Sequence, residues 1–526
     1  MKLSLYWHIL LNSISTIYMP EATMKQGILS IDLGTMGVKL SFVSLEGDIQ
    51  QSAYAEYPII SELPGQAEQD PSLWWKGIID CVRDLSATDR NLPRLVKAIS
   101  ICGQMHTHVY LDSDDEPIGP SITWLDQRSS EIIEEWNKDG KSERLFELTW
   151  NFPTTTYSAP QICWVKKHRP QVFEKTKSIM IAKDYIKFLL TGSKVTDPSD
   201  ASGTAVFDIR KNQWSKEALE LIGLDGKLLS QVIPSARIIG QVTEKAAGET
   251  GLVLGTPVVN GGSDHSVAEL GSGLLGEGEV SVIVGTAGVV AACTSTPVID
   301  PKKRVMCWSY PLEGYWDILG ITQTAASSLT WFRNCFDKER SSEVFDEYSS
   351  LAESISLGSE GLVFLPYLMG ERTPLWDSKA RGVFFGLTMK HSKAHMVRAI
   401  MEGVSFSIKD CMKVVEELGV NFDSVNVMGG GSKSSVWRKI QSDIYGKKVR
   451  TLETQDTGAI GNLILALLAT NEIGDPREAA KLVRHVETVI PDPIRSKRYE
   501  NLFGIYKRIY DSTHSIMEEL EAYTHE

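Results

Sequence analysis

Two short Gly-Thr turns, one in each half of the chain, constrain the fold more than any other feature. The first, Asp32-Leu33-Gly34-Thr35-Met36-Gly37-Val38-Lys39, follows the apolar run 28–31. The second, Gly285-Thr286-Ala287-Gly288-Val289, repeats the Gly-Thr-x-Gly-Val core and follows the apolar run 280–284. An apolar strand that enters a Gly-Thr turn and leaves in another strand reads as a β-hairpin with a tight tip. Backbone N–H groups and a hydroxyl converging at such a tip suit a phosphate. The first copy alone carries an acid, Asp32, able to hold a phosphate-bound Mg²⁺ directly or through water. Two half-similar hairpins point to two related domains facing one nucleotide. Two unrelated glycine turns are the plain alternative.

A chain of 526 residues exceeds a single core and suits two or three domains. Its net charge of −13 argues against general binding to nucleic acid or to anionic membranes. The seven cysteines are scattered without a CxxC, which fits reduced, buried thiols in a cytoplasmic protein rather than a disulfide framework or a zinc site. Residues 3–17 are apolar but interrupted by Trp7, His8, Asn12, Ser13 and Ser15, too short and too polar to span a bilayer. They also lack the features of a secretory signal. Met24 is the expected natural start, with 1–23 an upstream extension; a weak membrane or targeting role is the alternative.

The order of elements reads as α/β. A third strand is expected near 51–57, a helix capped by Asp70 through about Leu85, a strand over 96–101, and a hairpin with its turn at 112–116. Helices dominate 130–191, residues 196–200 read as a loop, and 255–262 reads as a strand entering a Gly-rich turn. The second half repeats the theme, with a strand at 425–428 entering Gly429-Gly430-Gly431. The expected division is an extension at 1–23, a first domain at 24–263, a second at 264–475, and a polar, mainly helical tail at 476–526.

Gly429-Gly430-Gly431-Ser432-Lys433-Ser434 lies between a strand and a helix, where glycines permit close approach of a ligand and a helix N-terminus favours an anion. A plain loop is the alternative, and the spacing does not match a P-loop. Gly271-Ser272-Gly273-Leu274-Leu275-Gly276 matches GxGxxG formally, but it follows a helix-like stretch and reads as a helix end. Asp264, after a strand and at the start of a helix, reads either as an N-cap or as a carboxylate placed to take a hydroxyl proton. His265 is a partner for it or a structural histidine. His106 ends a strand, and Trp124-Leu125-Asp126 offers an aromatic face with an acid, a pairing that suits a sugar; Trp124 in the core is the other reading.

Taken together, these residues resemble the FGGY family of carbohydrate kinases, within the actin-like ATPase superfold. Gly382-Val383-Phe384-Phe385-Gly386-Leu387 followed by His395-Met396-Val397-Arg398-Ala399-Ile400-Met401-Glu402 is similar to that family's second signature, and the likeness runs from about Gly27 to Thr470. Gly103-Gln104-Met105-His106, Ala182-Lys183-Asp184-Tyr185, Asp200-Ala201-Ser202-Gly203-Thr204 and Gly370-Glu371-Arg372-Thr373-Pro374 resemble the xylulokinase group. Ile122-Thr123-Trp124-Leu125-Asp126-Gln127-Arg128 is shared in pattern with the gluconokinases.

The resemblance implies two actin-like (ribonuclease H-like) domains around a cleft for ATP and sugar. It implies Asp264 as catalytic base and a sugar site of Met105, His106, Trp124 and Asp126. Mg²⁺ is then organised by Asp32. Thr35, Lys39, Gly285 and Thr286 face the phosphates, Gly430 and Gly431 lie at the adenine-ribose end, and Ala326 and Ser434 are further expected nucleotide-binding positions. D-xylulose is the expected acceptor, with gluconate or another polyol as alternatives, and a homodimer is an expected assembly. The chain departs from the family pattern at Met36, which replaces a hydroxyl residue, and at Ala326, Gln161 and Thr107. Those departures motivate a rival reading as a sugar-binding regulator with attenuated catalysis. An actin-like chaperone or filament ATPase is a second rival, without a sugar site.

Overall fold

The computed structural model describes residues 24–337, 343–520 and 523; the expected extension at 1–23 lies outside the described residues. Gly27–Leu33 (β1) and Gly37–Ser44 (β2) form the first expected hairpin, and Ile49–Glu56 (β3) extends it. Their register pairs Leu33 with Val38, which confines the turn to residues 34–37. The next helix, Pro71–Thr88 (α1), starts where its capping signal places it: the Asp70 side chain accepts a 2.9 Å hydrogen bond from Ser72 N, and Pro71 opens the helix. Trp74, Ile78, Cys81, Val82 and Leu85 recur at helical spacing and bury one face. Val96–Gly103 (β4), Ala182–Thr191 (α2), Ile238–Gln241 (β5), Pro257–Ser263 (β6) and Asp264–Gly271 (α3) complete the frame of the first half.

The second half contributes Val280–Val284 (β7), Gly288–Thr294 (β8), Met306–Ser309 (β9), Trp316–Thr322 (β10), Ser327–Phe336 (α4) and Lys393–Glu417 (α5). It continues with Ser424–Met428 (β11), Ser435–Tyr445 (α6), Lys448–Leu452 (β12), Thr457–Ala469 (α7), His485–Val489 (β13) and Pro493–Leu520 (α8).

The strand order is β3-β2-β1-β4-β6-β5 in one sheet and β9-β10-β8-β7-β11-β12-β13 in the other. From β3 to β5 the pairings run antiparallel, antiparallel, parallel, parallel, antiparallel. From β10 to β13 they run in the same sequence. The two sheets therefore repeat one topology, and β9 is an added edge strand. The sequence repeat is a fold repeat, and two unrelated glycine turns are excluded.

Three expectations change. Residues 196–200 are not a loop: Val195–Thr196 is a strand, and Pro198–Ser202 a helix capped by Asp197. The Gly-rich stretch after 255 is not a turn but β6 itself. Its pairing with β4 shifts register between Val259 and Gly262, with Gly261 at φ +70°. A Cβ on Gly261 would lie 1.7 Å from Ile101 O, so the bulge requires glycine. Finally, the polar, mainly helical tail after 476 also holds a strand and a buried apolar face. β13 joins the second sheet, and α8 buries Tyr499, Phe503, Tyr506, Ile509 and Met517.

The halves meet where α3 crosses α7. A Cβ on Gly271 would stand 1.8 Å from Thr457 O, and one on Gly461 1.9 Å from Val267 O. Gly271, the first glycine of the formal GxGxxG, ends a helix as expected, and its work is close helix packing. Asn462 of α7 extends the junction, donating 2.9 Å to Ser30 Oγ and accepting 2.9 Å from Ser100 Oγ. No helix among the described residues is long and apolar enough to cross a membrane.

Candidate active site

In the first sheet β1, β4 and β6 run parallel, and their carboxyl ends lie side by side, because Gly103 of β4 pairs with both Leu33 and Ser263. Ligands of open α/β sheets gather at such ends. Each strand delivers candidate residues there: Asp32 and the first Gly-Thr turn from β1, Met105 and His106 beyond β4, and Asp264 beyond β6. In the second sheet β7 and β11 are likewise parallel neighbours, and they deliver Gly285-Thr286 and Gly429–Gly431.

Asp264 is not the N-cap. Ser263 is, accepting from Ser266 N at 3.3 Å, so Asp264 is the first helical residue and its Oδ1 accepts from His265 N at 2.7 Å. Burial pushes its carboxyl up to about 6, against the pull of that hydrogen bond and of the His265 ring. Burial, then the charges of Asp264 and Asp456, push Asp32 up to about 7. Two carboxylates thus flank the end of β4 with little to neutralise them. Lys39 does not relieve them fully: its ammonium lies 2.6 Å from Asp456 Oδ2, at the N-cap of α7.

The first turn is held by side chains. Tyr57 donates to Gly34 O, Gln69 Nε2 donates to Thr35 O at 2.6 Å, and Trp124 Nε1 donates to Thr35 Oγ1 at 2.8 Å. Trp124 is 36% exposed, which removes the core reading, and its indole joins the expected sugar side to the phosphate turn. The Met36 side chain is 60% exposed. The second turn is held by the start of α4: Ala325 N donates to Thr286 O and Ala326 N to Gly285 O, both at 2.8 Å, and Ser327 Oγ donates to Thr286 O at 2.6 Å. Ala326, Leu329, Phe345, Met401, Gly430 and Ser434 line a cavity of about 390 Å³ beside it. Ser434 caps α6 through Trp437 N. Gly431 is packed away from this cavity, where a Cβ would lie 2.4 Å from Val284 Cγ1, so Gly430 rather than Gly431 faces it.

His106 is buried at φ +66°, and its Nδ1 donates to Gly203 O at 2.7 Å. Burial pulls the ring down to about 4, so it is neutral at pH 7 and Nε2 is an acceptor. A Cβ on Gly203 would meet the His106 ring at 2.5 Å, and the ring stacks on Tyr157 at 5.1 Å and meets Trp308 edge-on at 6.0 Å. Sequence reasoning missed Tyr157, Gly203 and Trp308 as a surround for His106; the Asp200–Thr204 motif was the available signal. Met105 is 6% exposed and packs beside the same glycine.

Asp126 corrects an expectation. It is 1% exposed, accepts from Ala67 N at 2.8 Å and pairs with Arg128 at 2.8 Å, so it braces the loop carrying Trp124 instead of facing a sugar. Two departures from the family pattern brace that loop as well. Thr107 Oγ1 accepts from Trp124 N at 3.3 Å, and Gln161 Nε2 donates to Thr123 O at 3.0 Å. Beneath β6, Lys183 contacts Asp184, Asp197 and Asp200 within 2.8 Å, all fully buried. The Ser199 hydroxyl donates to Asp197 Oδ2 and accepts from Ser263 N at 3.0 Å, linking this network to the residue before Asp264.

The chain matches the models of the FGGY family of carbohydrate kinases over both parts: the N-terminal domain at residues 27–271 and the C-terminal domain at 280–470. It is 33% identical to a xylulose kinase of Lactococcus lactis, with 95% of this chain and 99% of that protein covered. It is 30% identical to a gluconokinase of Bacillus subtilis, with 92% and 95% covered. The crystal structure of xylulose kinase from Rhodospirillum rubrum superposes with a TM-score of 0.88 at 27% identity, covering 93% of this chain and 99% of that one. The repeated sheet topology is that of the actin-like ATPase fold. With both halves matched and a Gly-Thr turn in each, the protein belongs to the FGGY family of carbohydrate kinases and is an ATP-dependent sugar kinase.

Proposed function

We propose that the protein phosphorylates D-xylulose on its terminal hydroxyl, giving D-xylulose 5-phosphate and ADP. The observation that carries this reading is the convergence of Asp264, Asp32 and the Trp124–Thr35 hydrogen bond at the ends of adjacent parallel strands. Asp264 takes the proton as the hydroxyl oxygen attacks the γ-phosphorus; a P–O bond forms to the sugar, and the bond to the ADP oxygen breaks in line. Such transfer depends on positioning and charge neutralisation more than on covalent help. A carboxyl near 6 is largely ionised at pH 7.5 and is still basic enough to accept that proton. Thr35 and Thr286 bind phosphate oxygens from opposite halves, and the cavity between Ala326 and Gly430 takes the nucleoside. His106 Nε2 accepts from a sugar hydroxyl, and Trp124 offers an apolar face. Closure of the halves about the α3–α7 contact excludes water as a competing acceptor.

Asp32 fits a Mg²⁺ ion, which uses one or two carboxylates and fills its other positions with water and phosphate oxygens. A partly buried acid pushed up in pKa beside two further acids is a donor that a divalent cation would relieve. Bound there, Mg²⁺ would neutralise charge on the triphosphate.

Gluconate is the second reading, favoured by the Ile122–Arg128 motif and the gluconokinase relative. ADP release measured over pentuloses, gluconate and polyols tests both. Highest turnover with D-xylulose is expected; highest turnover with gluconate transfers the assignment, and sugar-independent hydrolysis removes it.

A further inference from the structure

His265 and Glu269 stand four residues apart on α3, so both side chains leave one face of that helix, and Asp317 meets them from β10 of the second sheet. A ring nitrogen and two carboxylates lie within 4.8 Å of one another there, and neither acid has exposed surface. Four buried polar atoms of these three residues have no aligned hydrogen-bond partner among the described residues: His265 Nε2, both Glu269 oxygens and Asp317 Oδ1. His265 Nε2 lies 2.9 Å from Glu269 Oε1. Ser266 Oγ donates to the other Asp317 oxygen, Oδ2, at 3.3 Å, which leaves Oδ1 uncommitted.

The other buried group of acids beside this helix brings its own cation. Lys183 Nζ lies within 2.8 Å of Asp184, Asp197 and Asp200. Glu269 and Asp317 have no lysine or arginine within ion-pair distance among the described residues. Two carboxylates in so dry a setting repel unless a proton or a cation lies between them. A histidine nitrogen with carboxylate oxygens is a donor set for Zn²⁺. It suits Mg²⁺ poorly, because Mg²⁺ prefers oxygens and keeps several waters, for which two fully buried acids leave no room. Zinc in structural sites takes four donors, and the four uncommitted atoms supply one nitrogen and three oxygens.

We propose that His265, Glu269 and Asp317 form a structural Zn²⁺ site, separate from the Mg²⁺ of the triphosphate, that ties α3 to the second sheet. His265 Nε2, both oxygens of Glu269 and Asp317 Oδ1 are the ligands, and Ser266 supports the site by holding Asp317 through Oδ2. The tie falls directly behind the cleft. α3 starts at Asp264, passes the two zinc ligands within its first six residues, and ends at Gly271, where it crosses α7. A metal at this point joins the helix that carries Asp264 to β10 of the other half, and it contributes folding energy, as structural zinc does. No step of phosphoryl transfer runs through it.

The test is elemental analysis of the full chain, purified without chelator, incubated with Zn²⁺ and freed of loose metal by gel filtration, with neither ATP nor sugar present. One equivalent of zinc per chain is expected, and Asp32→Asn is expected to keep it. Glu269→Gln and Asp317→Asn are expected to lose it. Ser266→Ala is expected to weaken Zn²⁺ binding about 10- to 100-fold, measured by competition with a chelator of known affinity. A chain without stoichiometric zinc overturns the proposal, as does zinc that persists in both ligand variants or disappears with Asp32→Asn. In case the ligand variants do not fold, the unaltered protein decides: its melting temperature is expected to fall when a chelator withdraws the metal and to recover when Zn²⁺ is returned. A melting temperature indifferent to both overturns the site. Because no substrate is present, failure of the xylulose or Asp264 assignment is distinguishable from failure of this one.

Discussion

The two Gly-Thr hairpins share one sheet topology, yet their tips are held by different means. Around the first, side chains from distant segments converge: Tyr57, Gln69 and Trp124 fix the turn, and Asp32, Asp264 and Asp456 crowd it with charge. Around the second, backbone does the fixing, through Ala325 N, Ala326 N and the start of α4, and its neighbours are small or apolar. A turn held by side chains is coupled to whatever else those side chains touch. A turn held by a helix start is coupled to the cavity beside that helix. On the proposed reading, the first jaw senses the sugar and the second grips the nucleotide.

The largest expected effect tests the chemistry on the first side. Asp264→Asn should lower kcat by at least about 10²-fold while ATP still binds by calorimetry; unchanged turnover would end the assignment. Next, the threonines should separate the jaws. Thr35→Val is expected to raise KM for both ATP and sugar, because it also releases Trp124. Thr286→Val should raise KM for ATP alone, by roughly tenfold. A sugar KM raised by Thr286→Val, or a Thr35→Val change that moves the ATP KM alone, would break the comparison.

A third expectation is pH dependence. Asp264 must be ionised to accept a proton, and it titrates at about 6, so kcat/KM should fall as pH drops through 6. A flat profile between pH 5 and 7.5 would argue for another base.

Stability offers a fourth. The folded value for Asp32, about 7, lies above the ordinary carboxylate value of 3.8, so the unfolded chain ionises first. Its contribution to stability is present in full below about 4 and is lost as pH rises to about 7. Asp32→Asn should accordingly raise the melting temperature at pH 8 and change it little at pH 4. The smallest effect concerns Met36, whose side chain is exposed at the first tip. Met36→Ser should lower KM for ATP a few-fold if an added hydroxyl reaches a phosphate, and no change would mean that backbone and Thr35 suffice.

Much of this was legible in the chain. The hairpins, the Asp70-capped helix and the convergence of Asp32, His106 and Asp264 on strand ends follow from apolar runs stopped by turn residues, which are local signals. The misses have a common cause. The strand at 195–196 is two residues long and pairs with residues 231–232, so no periodicity announces it. β6 reads as a turn because its glycines are local turn signals, whereas the close approach of Ile101 O that demands Gly261 comes from a strand far away in sequence. Asp126 looks like a sugar ligand beside Trp124 until Arg128 and Ala67 N are seen to occupy its oxygens.

The sequence by itself determined the doubled α/β plan, the two Gly-Thr turns and the acid that follows β6, because strand pattern and turn chemistry act over a few residues. Tertiary structure decided which of those residues act together. It turned Asp126 inward and Trp124 toward Thr35. It set Glu269 and Asp317 against His265, and it made glycine obligatory at Gly271 and Gly461, where two helices cross. Burial, charge coupling and close backbone approach depend on neighbours brought from elsewhere in the chain, and only the folded molecule brings them.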